Sequence, residues 1–176
     1  MLIGIPSLFL AYGYTGGPFP LAYRGLGEWF VLVFFGWVAV AGTVFIQTGG
    51  WPPAAFLLGL QTGLLSAVLI SINNLRDCEE DASTGKRTLA VRYGPCVAAG
   101  VIRGEILIAA GAGFAWIAFG QPALLWASVP VWLIGGYVLR RLAAQPQGPA
   151  CNRLLALAGV QLLLFAAAFH VAARFL

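Results

Sequence analysis

The sequence predicts an all-α fold: a polytopic transmembrane helical bundle of about five full spans preceded by an N-terminal half-span. Three observations predict it. Hydrophobic residues fill 60% of the 176 positions and charged residues only 9%, with a mean hydropathy of +0.88, a balance foreign to soluble domains of this length. The apolar residues gather into runs near the roughly 20 residues that cross the hydrocarbon layer as a helix. Most charge sits at one edge of those runs. Inside lipid the backbone must satisfy its own hydrogen bonds, so the runs are helices and not open strands.

Taken in order, Leu2–Tyr12 is about half the length of a span, and it lacks the basic start and cleavage site of a signal peptide. It reads as the stub of a span. Full spans follow near 28–47, 53–72, 96–119, 122–141 and 152–174. The connections TGGPFP, GGWPP, GQP and QPQGP are short Gly/Pro turns. With no repeat, heptad pattern or low-complexity tract, residues 1–176 read as a single membrane domain.

With alternating helix directions, one side collects Arg24, Arg76, Lys86, Arg87, Arg92, Arg140, Arg141 and Arg153, and the other Arg174 alone. This bias places the charged loops in the cytoplasm and makes the chain a multi-pass protein of the cell inner (cytoplasmic) membrane. The net charge of +4 follows from that topology and gives no reason for nucleic-acid binding. Three cysteines, Cys78, Cys96 and Cys151, without CxxC spacing argue against a disulfide framework or a zinc site. The single histidine, His170, near the end of the last helix, leaves Ser-His-Asp and His-metal chemistry poorly supported and reads as structural or interfacial.

The densest charge lies in NNLRDCEEDASTGKRTLAVRYG, residues 73–94. Pro52-Pro53 suits a helix start and Gly85 a stop, which makes a helix of about 32 residues. At 1.5 Å per residue it is roughly 48 Å long against about 30 Å of hydrocarbon, so its last turns project beyond the apolar layer. Those turns carry Asn73, Asn74, Asp77 and Asp81, with Asn73, Asp77 and Asp81 on one face and Asn74 beside them.

Carboxylates four apart on a helix repel, so DxxxD needs open water or a cation. Magnesium is a hard ion that uses one or two carboxylates and completes its shell with water and phosphate oxygens. Lys86, Arg87 and Arg92, just downstream, suit the remaining phosphate charge. The alternative is a solvated acidic helix end beside the membrane, and spacing alone does not separate the two.

Other polar residues have structural readings. Gln61 suits an interhelical hydrogen bond, and Arg103 a side chain reaching for the cytoplasmic end of its span. Glu105 lies deeper, where a cavity-facing role and a structural pairing both stand. Glu28, at a helix start, favours the positive end of the helix dipole. The six Trp and twelve Phe read mainly as packing and interface anchors, and none is nominated for a site.

The stretch at 73–94 resembles the second aspartate-rich motif of the UbiA superfamily of intramembrane aromatic prenyltransferases, in which an Asn precedes DxxxD and a GKxTLAVRxG segment follows. YTGGPFPLAYRGLGEWFVLVFFG, residues 14–36, is similar to the corresponding loop and helix of the 1,4-dihydroxy-2-naphthoate polyprenyltransferase branch of menaquinone biosynthesis. The last three helices match that family in hydropathy only. The resemblance implies Mg2+-dependent transfer of a polyprenyl group from polyprenyl diphosphate to 1,4-dihydroxy-2-naphthoate, with loss of the carboxylate, giving demethylmenaquinone. Asp77 and Asp81 then match the magnesium-binding, catalytic carboxylates. Asn73 and Asn74 would orient the metal-bound diphosphate, and Lys86 and Arg92 would bind its oxygens; Arg76 and Arg87 carry no assigned role.

The same resemblance implies nine helices and an earlier NDxxD-type motif, yet neither Asp nor Asn precedes Asn73. The chain is therefore expected to match the C-terminal part of a nine-helix enzyme, to hold half of the metal site, and to be inactive alone. Other readings remain: a non-catalytic membrane module or split-enzyme half that needs a chain supplying the missing N-terminal helices, or a related aromatic prenyltransferase of another quinone pathway with a phytyl donor. A transporter would need paired charges deep in several helices. A CDP-alcohol phosphotransferase would need a motif this sequence lacks.

Overall fold

The computed structural model describes residues 4–16, 20–144, 146 and 148–175. Among them every regular element is helical. The first residues of the half-span and parts of the TGGPFP and QPQGP turns lie outside the described residues. The half-span is α1 (Gly4–Thr15). Five helices long and apolar enough to cross a membrane follow: α2 (Gly27–Thr48), α3 (Pro53–Arg76), α6 (Pro95–Ala118), α7 (Pro122–Leu142) and α8 (Gly148–Phe175). Two short helices, α4 (Cys78–Ser83) and α5 (Leu89–Tyr93), lie between α3 and α6. The five expected spans are thus all present.

The bundle is organised around α3, which packs against α2 on one flank and α6 and α8 on the other. Its buried surface runs from Leu64 and Leu65 through Val68 and Ile72 to Leu75. Ile102 and Ile106 of α6, Val138 and Leu142 of α7 and Leu154 of α8 complete that core. Ile46, Leu133 and Leu163 point outward, where only lipid can receive them. No hydrophobic force joins helices already in lipid, so close fit and buried hydrogen bonds must specify the packing.

Both devices are visible. Across α2 and α3 the backbones touch: a Cβ on Gly36 would run into the Gly59 carbonyl oxygen, and one on Gly63 would lie 2.6 Å from the Leu32 carbonyl oxygen. In this contact region α2 widens into a π-helical stretch, Leu32–Ala41, which its run of apolar residues does not announce. The second device is Gln61, fully buried, whose amide nitrogen donates to the Ala109 carbonyl at 3.0 Å and to Ser128 Oγ at 3.2 Å. Its Oε1 accepts from the indole of Trp116 at 2.8 Å. The interhelical role expected of Gln61 is therefore present, and it ties α3 to both α6 and α7.

Arg103 behaves as its position in the span suggests, donating at 3.2 Å to the Leu142 carbonyl at the end of α7. His170 is exposed and lies 3.1 Å from Arg174, four residues on in α8.

The long helix expected from Pro53 toward Gly85 is interrupted once. Asp77 leaves helical geometry at φ −93° and ψ 12°, and α4 resumes at Cys78. On a regular helix, adjacent side chains do not face each other. The departure at Asp77 brings its carboxylate onto the guanidinium of Arg76.

Candidate functional site

The ladder of backbone hydrogen bonds carries through the break. The Asp77 N–H donates to the Asn73 carbonyl at 3.0 Å and the Asp81 N–H to the Asp77 carbonyl at 2.8 Å. Asp77 and Asp81 therefore keep the one-face relationship of a helix although the helix is not continuous. Beyond α4, Gly85 turns the chain at φ +77°, a conformation that disfavours any side chain. The Lys86 N–H closes this turn onto the Asp81 carbonyl at 2.9 Å. Its ammonium group then reaches both Asp81 carboxylate oxygens, at 3.0 and 3.1 Å. The next residue, Arg87, donates its N–H to the Tyr23 carbonyl at 3.1 Å, which fastens the charged loop to the segment between α1 and α2. Thr88 caps α5 by accepting from the Val91 N–H at 3.4 Å.

A cavity of about 470 Å3 opens beneath this loop. Asn74, Asp77, Glu80, Asp81, Thr84 and Lys86 form one side, with Tyr14, Tyr23 and Gly27 opposite and Ile70 toward the membrane. Next to it lies an apolar cavity of about 520 Å3 between α1 and α2, lined by Leu10, Phe30, Val31, Phe34 and Phe35. Tyr14 and Ile70 line both. A charged chamber and an apolar one thus share a wall.

Four of the six residues nominated from sequence, Asn74, Asp77, Asp81 and Lys86, line the charged cavity together. Asn73 and Arg92 do not line it. The Asn73 amide donates to Asp77 Oδ2 at 3.2 Å, and its oxygen accepts from Arg76 at 2.8 Å. Arg92 is exposed and donates to the Arg87 carbonyl at 3.1 Å, bracing the loop.

Arg76 stands at the centre of the polar links around Asp77. It donates to Asp77 at 2.6 and 2.9 Å, and across the bundle to Asn152 Oδ1 of α8 at 3.2 Å. Its hydrogen bond holds the Asp77 carboxyl below the usual Asp range, against the opposing effect of burial, and the charge of Lys86 adds to this. Burial pushes the neighbouring Cys78 thiol up, with the charges of Asp81 and Glu79 adding to it.

Two acids that the sequence reading left out of the site stand behind it. Glu28 of α2 accepts from the Asn74 amide at 2.9 Å, and Glu105 of α6 accepts from Ser71 Oγ at 3.0 Å. The second oxygen of Glu105, Oε2, is buried and has no hydrogen-bond partner among the described residues. Glu28 belongs to the 14–36 segment, yet the 46 positions separating it from Asn74 carry no spacing signal.

Among the described residues, no group of three or more His, Cys, Asp or Glu forms a closed metal cage. The donor set has another character: two carboxylates four residues apart at a cavity wall, each matched now by a cationic side chain. That set fits a hard, partly hydrated divalent ion that takes its other ligands from a phosphate group. Lys86, which lines the cavity, would then be free to meet phosphate oxygens.

The UbiA prenyltransferase family profile matches residues 1–173. The chain is 47% identical over 92 residues to 1,4-dihydroxy-2-naphthoate octaprenyltransferase of Haemophilus influenzae, a match covering 52% of this chain and 30% of that protein. To the 1,4-dihydroxy-2-naphthoate octaprenyltransferase of Mycobacterium tuberculosis it is 37% identical over 147 residues, covering 84% of this chain and 47% of that protein. A third relative is the 2-carboxy-1,4-naphthoquinone phytyltransferase of Synechocystis, 33% identical over 93 residues, 53% of this chain and 30% of that protein. The chain thus spans less than half the length of these relatives. No solved structure matches it.

Proposed function

Because the chain belongs to the UbiA prenyltransferase family, we propose that the α3–α4 junction holds the magnesium-bound diphosphate of a polyprenyl donor whose prenyl group passes to 1,4-dihydroxy-2-naphthoate. The observation that carries this reading is the shared wall between the two cavities. A prenyl diphosphate has one highly charged end and one wholly apolar end. The chamber of Asp77, Asp81 and Lys86 suits the first, and the space among Phe30, Phe34 and Phe35 the second.

Asp77 and Asp81 would hold the metal, which when bound neutralises charge on the departing diphosphate. Lys86 would turn from Asp81 to the diphosphate oxygens as the prenyl carbon–oxygen bond breaks and its electron pair leaves with the diphosphate. The aromatic ring carbon then bonds to the allylic carbon, and the ring carboxylate departs as carbon dioxide and leaves its bonding electron pair in the ring, giving the hydroquinone form of demethylmenaquinone. In this reading Asn73 and Arg92 act from outside the cavity, Asn73 by orienting Asp77 and Arg92 by bracing the loop. The bias of Lys and Arg places the charged chamber on the cytoplasmic face of the inner membrane. We read residues 1–176 as one membrane domain, equivalent to the C-terminal part of the longer relatives.

One acidic helix end supplies a fraction of the charge that a magnesium diphosphate needs, so the chain alone is expected to be inactive and to depend on helices supplied from outside it. The same observation supports the second reading, a module that works only with a partner chain. The test is transfer from a labelled polyprenyl diphosphate to 1,4-dihydroxy-2-naphthoate in membranes, using this chain, an upstream-extended chain, and Asp77→Asn and Asp81→Asn in each. Activity in the extended chain that each substitution lowers by about 10²–10³-fold supports the proposal. Activity unaffected by either substitution overturns it, and transfer by the short chain alone overturns the requirement for further helices.

A further inference from the structure

We infer that Glu28 is a positioning residue: its buried carboxyl group fixes the side-chain amide of Asn74 so that the amide oxygen, and not its NH2 group, faces the charged cavity. The inference rests on the metal-diphosphate reading of that cavity. Asn74 is only 4% exposed and lines the chamber beside Asp77 and Asp81. An asparagine amide can present either end, and rotation by half a turn exchanges a donor for an acceptor. Here the choice is made from outside α3: Asn74 Nδ2 donates to Glu28 Oε1 at 2.9 Å. With Nδ2 held there, Oδ1 is the end of the amide left for the cavity that Asn74 lines.

The arrangement costs free energy that packing alone does not explain. Glu28 is 7% exposed, and its second oxygen, Oε2, is buried without a hydrogen-bond partner among the described residues. Such a group is retained only where the fold holds it. It lies in the first turn of α2, where the helix dipole favours an acid. What Glu28 secures is the polarity of a cavity wall. An outward oxygen is a ligand or hydrogen-bond acceptor for a hydrated divalent cation; an outward NH2 would instead donate to phosphate oxygens. With Glu28 in place, Asn74 joins Asp77 and Asp81 on the metal side of the site, and the contact to phosphate in the cavity is left to Lys86.

The test is Mn2+ binding, followed by electron paramagnetic resonance, to the 176-residue chain in lipid nanodiscs with inorganic pyrophosphate present. Glu28→Gln can donate to Asn74 and so reverse its amide. It is expected to weaken Mn2+ binding by about tenfold, as loss of a group that orients a metal ligand commonly does. Glu28→Gln combined with Asn74→Asp exchanges acid and amide across the same hydrogen bond, keeps the net charge, and returns an oxygen to the cavity. It is expected to restore most of the affinity, which a merely structural role would not predict. Thermal unfolding reports whether each variant is folded, and Glu28→Asp, expected to bind at an intermediate level, carries the test if Glu28→Gln does not fold. Mn2+ binding unchanged in Glu28→Gln, or not restored by the exchange, overturns the inference alone. Absence of Mn2+ binding both to the wild-type 176-residue chain and to the upstream-extended chain overturns the reading of the cavity and this inference with it.

Discussion

Lys86 folds back across the turn at Gly85 to set its ammonium nitrogen 3.0 and 3.1 Å from the two carboxylate oxygens of Asp81. The turn is built for this contact, since the Lys86 N–H is bound to the Asp81 carbonyl as well. Acid and base thus form one unit at the cavity wall, and they are expected to have separable roles. In an active, upstream-extended chain, Asp81→Asn should lower turnover by about 10²–10³-fold, the scale for losing one preorganised charge-stabilising group. Lys86→Met should chiefly raise the KM for the prenyl diphosphate, with Lys86→Arg recovering part of it. Equal effects of Asp81→Asn and Lys86→Met on KM alone would contradict this division.

Arg76 and Asp77 give a pH dependence with a definite sign. The Asp77 carboxyl titrates below its ordinary value of 3.8 in the folded protein, chiefly through its hydrogen bond to Arg76. A depressed acid contributes stability above the unfolded value, and that contribution is lost as pH falls from about 3.8 through the lower folded value. Arg76→Met should return the Asp77 titration toward 3.8, seen by infrared spectroscopy of the carboxylate, and shift acid unfolding to higher pH. An unmoved Asp77 titration would show that Arg76 is not its main partner.

The close approach of α2 and α3 should tolerate no side chain. Gly36→Ala and Gly63→Ala each drive a methyl group into backbone of the facing helix. Each is expected to destabilise the bundle by about 1–3 kcal/mol, the usual cost of overpacking. Gly42→Ala, with nothing within 4 Å of the added carbon, is the matched control and should change little. Thermal unfolding in detergent compares the three, and equal midpoints would refute the packing argument.

Removing the Gln61 amide should be costly despite the apolar surroundings. Gln61→Leu strands the Trp116 indole N–H in a buried site. The cost is expected to be about 1–3 kcal/mol, the scale for an orphaned buried polar group. A change in Trp116 fluorescence should accompany it, and a more stable Gln61→Leu protein would show the hydrogen bonds to be dispensable.

Cysteine labelling tests the proposed sidedness. Cys96 is exposed, Cys78 half-buried and Cys151 buried. A membrane-impermeant maleimide should react with Cys96 first in inside-out vesicles, and hardly at all in right-side-out ones. Cys78 should lag, because its raised pKa leaves less thiolate at a given pH. Fast labelling of Cys96 in right-side-out vesicles would invert the topology.

Five spans, a half-span and the acidic helix end are legible in the sequence because each depends on neighbours along the chain. A run of apolar residues near the thickness of the bilayer becomes a helix wherever it packs. The 3.6-residue period sets Asp77 and Asp81 on one side even across the break at Asp77. Gly85 marks the turn because few other residues accept its backbone angle. What the tertiary structure decided is which side chains meet across helices. Asn73 and Arg92 carry the same local signals as Asn74 and Lys86, yet they turn to Arg76 and the Arg87 carbonyl and not to the cavity. Glu28 meets Asn74 only because α2 lies beside α3. Such meetings depend on helix packing, which in lipid is set by backbone contact at Gly36 and Gly63 and by buried hydrogen bonds such as those of Gln61, and no periodicity along the chain records them.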